Sequence, residues 1–84
     1  MFNVYRRISK KNVNGKEVLA RKLRINSSEI DSTTVGEWFK CFENNLKITY
    51  DVRTVITTAF SITISVLTED GTNLIFEYWV EAAD

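Results

Sequence analysis

Two groups of side chains in this sequence have recognisable chemistry. The first is cationic. Residues 10 to 24 read KKNVNGKEVLARKLR, and residues 1 to 24 hold eight Lys or Arg against one Glu, a balance of +7. Residues 25 to 84 hold three against ten, a balance of −7, so the formal net charge of zero is a cancellation between two unlike regions. Clustered ammonium and guanidinium groups attract acidic proteins or phosphate backbones. The second group is apolar and aromatic, Ile75 and Trp79 near the end of the chain. Trp is the residue type most enriched at binding hot spots, and exposed apolar patches mark partner sites.

Catalytic chemistry has little to work with. The sequence has no histidine, which removes Ser-His-Asp and Cys-His sites and the commonest transition-metal ligand. The lone Cys41 cannot build a structural zinc site or an internal disulfide. Gly15, Gly36 and Gly71 are too dispersed to form a phosphate-cradling loop. The expectation is a non-enzymatic protein with no cofactor and no metal.

Length and composition set the frame for any binding surface. Eighty-four residues make a single domain with one thin core, burying about 60% of the unfolded surface. Hydrophobic content of 44% with 26% charge is ordinary for a globular chain. The apolar runs, such as Leu74-Ile75-Phe76 and Tyr78-Trp79-Val80, are too short to span a bilayer, so no membrane partner is expected. The start MFNVYRR lacks the apolar core of a secretory signal, and one unpaired cysteine suits a reducing compartment. Both point to the cytoplasm.

The elements that must position the two groups follow from periodicity. Phe2, Val4 and Ile8 share one parity of a first strand, and Asn14-Gly15 is the signature of a type I′ hairpin turn. A two-residue loop pairs Val13 with Lys16, Ile8 with Arg21, Arg6 with Leu23 and Val4 with Ile25, gathering Phe2, Val4, Ile8, Leu19, Leu23 and Ile25 on one face. A three-residue loop would set Val4 and Ile8 beside Arg24 and Ala20, wasting that match. Residues 26 to 34 read as a polar connection. Thr34 with Glu37 forms a capping box, and Thr33 is a second cap candidate. A helix follows, with Val35, Trp38, Phe39, Phe42 and Leu46 in one stripe and Asn44-Asn45 as its stop. Cys41, between Trp38 and Phe42, reads as a small core residue.

From Leu46 to Val66 the even positions are mainly apolar, which is strand periodicity, broken by a bend near residues 51 to 57. Gly71 in TEDGT suits a turn with one left-handed residue, pairing Val66 with Leu74, Ile64 with Phe76, Ile62 with Tyr78 and Phe60 with Val80. The expected fold is α+β: a single helix packed on one face of a mainly antiparallel sheet, in the order β-β-α-β-β-β.

With the apolar parity under the helix, the outer face of the first hairpin carries Tyr5, Arg7, Lys11, Lys16, Val18, Lys22 and Arg24. The outer face of the last hairpin carries Thr63, Ser65, Leu67, Ile75, Glu77, Trp79 and Glu81. The expected partner-binding residues are Tyr5, Arg7, Lys11, Lys16, Lys22, Arg24, Ile75 and Trp79. Two alternatives stand beside this assignment: the lysines serve only to discourage edge-to-edge aggregation, and Trp79 is core if the sheet curls over it. A protein partner, acidic in character, is the first expectation, and nucleic acid bound by the basic hairpin is the second. A homodimer formed through the open sheet face is a third.

One segment resembles a known family. Val13-Asn14-Gly15-Lys16, Val18 and Ala20-Arg21, followed by Asp31-Ser32-Thr33 and Glu37-Trp38-Phe39, is similar to the hairpin-then-helix element of small phage anti-CRISPR proteins of the type I-F class. The likeness covers residues 12 to 39. It implies a phage-encoded protein that binds a bacterial complex and blocks it, with the basic hairpin positions as its contact residues.

Overall fold

Five ladders of residue pairs define the described sheet. In the computed structural model, which describes residues 1–11 and 21–83 in full and residues 17–19 as backbone, the strands are β1 (Phe2–Lys11), β2 (Glu17–Leu19), β3 (Leu23–Arg24), β4 (Asp51–Thr57), β5 (Ser61–Leu67) and β6 (Asn73–Ala82). Among the described residues a single helix, α1 (Ser32–Thr49), lies between β3 and β4. The sheet is antiparallel in the order β2-β1-β6-β5-β4, with β3 continuing the β2 edge of β1. The expected α+β class, one helix on one face of an antiparallel sheet, is what forms.

The last hairpin pairs as its sequence dictates. Ile62 faces Tyr78, Ile64 faces Phe76 and Val66 faces Leu74. Gly71 takes φ 83°, the left-handed conformation that side chains disfavour. These residues, with Val4 and Val80, form the inner face that receives Val35, Phe39 and Leu46 of the helix. Phe42 stacks on Tyr78 at 4.0 Å and 11°. The helical stripe is therefore the one read from the sequence, with Trp38 and Phe42 partly buried at its margin.

The helix departs from expectation at both ends. Asp31, rather than Thr34 or Thr33, is the N-cap: its Oδ1 accepts from the Thr34 amide at 2.8 Å and from the Thr34 hydroxyl at 2.7 Å. Asn44 and Asn45 do not stop it, and it runs on to Thr49. Lys47 bonds Glu43 one turn back at 2.6 Å, and Ile48, assigned by alternation to a buried strand face, stands 85% exposed. Cys41 is exposed, not core. At 100° per residue it sits roughly 120° from the centre of the apolar stripe, so neighbouring Trp38 and Phe42 in sequence does not bury it.

Two irregularities redirect the strands. The ladder between β4 and β5 shifts between Val52 and Thr54, a bulge at Arg53. Beyond it Thr54 and Ile56 lie opposite Ser65 and Thr63 on the outer face, while Val55 and Thr57 turn inward opposite Ile64 and Ile62. The even-parity assignment of Thr54 and Ile56 to the core is thereby reversed. The bend falls at residues 58–60, after the expected window, where the Thr58 hydroxyl accepts from the Ser61 amide at 3.0 Å.

The first hairpin carries the second irregularity. Arg6 faces Leu23 as expected, but Ser9 faces Leu19, so one extra residue enters the second strand between them. The expected Asn14-Gly15 turn, the placement of Val13, Lys16 and Ala20, and the side chains of Val18 and Leu19 lie outside the described residues.

Residues 26 to 34 are more than a connection. Ile25 donates to Val4 O at 2.9 Å, and the next rung is a side chain: Asn26 Oδ1 accepts from the Val4 amide at 2.9 Å. Asn26 Nδ2 in turn donates to Ser28 O at 2.9 Å. Phe2 and Ile30 then exchange backbone bonds of 2.7 and 3.0 Å. This segment closes the β1 edge that β2 and β3 leave open, satisfying amides that burial would otherwise strand.

Candidate interaction face

The site forms because the first and last strands are neighbours. β1 and β6 pair from Phe2↔Ala82 to Lys11↔Asn73, which sets Tyr5 opposite Trp79, Arg7 opposite Glu77 and Ser9 opposite Ile75 on the face away from the helix. Tyr5 and Trp79 stack with ring centroids 6.0 Å apart at 26°. Trp79 therefore lies on the outer face, partly buried against Tyr5, and is not a member of the helix-side core.

Cations surround this aromatic pair. The Arg7 guanidinium lies 5.7 Å from the Trp79 ring centroid and bonds Glu77 at 3.2 Å. Lys22 Nζ stands 4.2 Å over the Tyr5 ring and 2.6 Å from Glu81. Glu81 also accepts from Trp79 Nε1 at 2.9 Å. The Lys22 hydrogen bond first, and the Trp79 bond second, hold the Glu81 carboxyl below its ordinary value. Arg24, opposite Tyr5 on β3, donates to the neutral Asn26 at 3.3 Å. A shallow notch lined by Arg7, Ser61, Thr63, Glu77 and Trp79 opens beside the stack toward β5.

Of the residues expected at the site, Tyr5, Arg7, Lys22, Arg24 and Trp79 come together. Ile75 is on the same face, partly buried, but pairs with Ser9 and Ser65 two rungs beyond Glu77. Lys11 ends β1 opposite Asn73, six residues from Tyr5 and hence roughly 20 Å away along the strand. Lys16 lies outside the described residues. Glu77 and Glu81, expected on this face but not among its binding residues, pair with its central cations. Their spacing with Trp79 (77, 79, 81) was a visible signal; what it opposed was not.

The basic region is therefore partly neutralised by the acidic one. The +7 and −7 halves of the chain interleave on adjacent strands, giving a mosaic of aromatic, cation and carboxylate rather than a uniform positive surface. On the helix side, burial pushes the Tyr78 hydroxyl up while neighbouring Arg6 opposes it, so Tyr78 remains a neutral core group. No group of three or more potential metal ligands occurs among the described residues, and no described helix is long and apolar enough to cross a membrane. Comparison with protein-family models, with curated proteins and with solved structures finds no match.

Proposed function

We propose that this chain is a non-enzymatic protein–protein interaction module, an accessory or inhibitor protein of a phage or other mobile element that acts in the cytoplasm by stoichiometric binding. The Tyr5–Trp79 stack on an open sheet face, flanked by Arg7, Lys22 and Arg24, carries the reading. Trp, Tyr and Arg are the residue types in which binding energy concentrates, and here they form one cluster. An acidic partner would exchange its carboxylates for Glu77 and Glu81. Exposed ion pairs are worth only about 0–1 kcal/mol each, so that exchange costs little and the partner's own packing on Trp79 sets the affinity.

The test is co-purification of the tagged protein from its host, followed by reconstitution with the identified partner. A complex of fixed stoichiometry is expected, with Trp79→Ala weakening it by about 2 kcal/mol, mostly through faster dissociation. Charge reversal at Lys22 and Arg24 should slow association instead. Binding indifferent to both changes would remove this face from consideration.

A second reading, a small nucleic-acid-binding protein, draws on the same stack, because bases pack on aromatic rings beside cations. Glu77 and Glu81 oppose it by repelling phosphate. Affinity for a single strand that falls steeply with salt, in step with the phosphates neutralised, would favour this alternative.

A further inference from the structure

The far edge of the sheet poses a different question from its face. β4 is the last strand in the sheet order, and no described strand pairs its outer side. Its hydrogen-bonding phase can be read from the turn that follows. Thr58 N donates to Ser61 O at 2.8 Å, so those two residues form a hydrogen-bonded pair. Antiparallel pairs alternate between bonded and non-bonded. Ile56↔Thr63 and Thr54↔Ser65 are accordingly bonded pairs, and Val55↔Ile64 and Thr57↔Ile62 are not. Val55 and Thr57 therefore aim their N–H and C=O groups at the open edge.

The side chains along that edge are unusual for an unprotected strand. Ile56 is 64% exposed and Val55 37% exposed. From Thr54 through Thr68 the sequence contains no charged residue and no proline. Natural edges are commonly blunted by charge, by proline or by bulges. Here the charges, Asp51 and Arg53, and the bulge all sit in the first part of β4, so residues 54 to 57 carry none of these guards.

We propose that this edge pairs antiparallel with the same edge of a second copy, about a two-fold axis at Ile56. That register agrees with the phase. It sets Ile56 against Ile56 of the copy as a close non-bonded pair. Val55 meets Thr57 of the copy, and Thr57 meets Val55, so all four outward-facing N–H and C=O sets find partners. Thr54 faces Thr58, hydroxyl against hydroxyl. Every contact lies beyond the bulge. A chain with formal net charge zero sets up little long-range repulsion between copies. The uncharged segment from Thr54 to Thr58 gives a charged partner nothing to hold.

A five-residue pairing buries much less than the roughly 1,200 Å² of a stable interface, so the dimer is weak and dissociates on dilution. The two-fold axis stands perpendicular to the sheet, so the two open faces look the same way. Their Trp79 side chains lie five strand spacings apart across the sheet, about 24 Å. The assembly is thus bivalent toward a repetitive partner.

Sedimentation of the full chain from micromolar to millimolar concentration tests this. The average mass should rise from 9.7 kDa toward twice that value, and Ile56→Lys should hold it at the monomer without changing the thermal melt. Ile56→Cys, made with Cys41→Ser, should oxidise to a covalent dimer, because Cα atoms of a close pair lie about 4.5 Å apart, within disulfide range. A mass that stays at 9.7 kDa throughout overturns the proposal. So does association that survives Ile56→Lys, or association abolished by Trp79→Ala instead, which would place the second copy on the open face.

Discussion

The β1–β6 half of the sheet and the β4–β5 half both contribute to the core under one helix, yet their outer sides are opposites. On β1 and β6 the outer side is aromatic and ionic, with Tyr5 on Trp79, Arg7 on Glu77 and Lys22 on Glu81. On β4 and β5 it is uncharged beyond the bulge, with the Thr54 and Ser65 hydroxyls 2.7 Å apart and Ile56 64% exposed, and only the local Asp51–Arg53 ion pair before it. The ionic half joins segments from the two ends of the sequence, where opposite charges identify the correct neighbour. The neutral half is a local hairpin whose turn already fixes its register.

The largest expected effect contrasts two isoleucines. Ile64 is fully buried between β4, β6 and the helix, and Ile64→Ala should cost about 2–5 kcal/mol in a urea titration. Ile56→Ala, on the outer side of the same hairpin, should stay within about 0.5 kcal/mol. Similar losses from both would show that the outer side of the neutral half is covered.

Asn26→Ala comes next. It leaves the buried Val4 amide without its acceptor, and a loss of about 1–3 kcal/mol is expected by the same titration. A near-neutral result would mean that the β1 edge is closed by something other than this side chain. The Tyr5–Trp79 stack ranks third. A double-mutant cycle of Tyr5→Ala and Trp79→Ala should return a coupling of about 0.5–1.5 kcal/mol, and additive losses would dissolve the cluster as a unit.

The smallest effect separates the halves by pH. The Glu81 carboxyl titrates lower in the folded protein than in the unfolded chain, so its contribution is present above the unfolded value and disappears as pH falls through the folded one. Asp31 and Asp70 shift in the same direction through Thr34 and Thr68. Thermal melts of Glu81→Gln should therefore lose part, not all, of the acid-side decline. Added salt should shrink that part further. An unchanged acid profile would show that the Lys22–Glu81 pair is idle in solution.

Local pattern made some of this legible and distance hid the rest. Ile62, Ile64 and Val66 found their partners on β6 because Gly71 sets a tight turn between them. Val35, Phe39 and Leu46 declared the helix face through their spacing. Leu46, however, satisfies both a helical and an alternating pattern, so alternation ends the helix too early, and the bulge at Arg53 reverses a parity that no composition signal marks. Of the site, the correct face of Tyr5, Arg7 and Trp79 was readable from alternation. Their meeting depends on β1 lying beside β6, which neither hairpin encodes. Asn26 was invisible for the same reason, since a polar loop residue gives no sign that it will stand in for a strand.

The long β1–β6 ladder also sets an order of events. Its partners lie more than sixty positions apart along the chain, from Phe2↔Ala82 to Lys11↔Asn73. During synthesis β1 emerges first and must wait, its final neighbour unmade, until β6 has followed. The helix and the β5–β6 hairpin need only nearby residues and can organise earlier, while closing the long loop is slow. Val4, one of the most completely buried side chains, is therefore expected to join the core late. Shortening it to alanine should speed unfolding more than it slows folding, the kinetic mark of a contact made after the barrier.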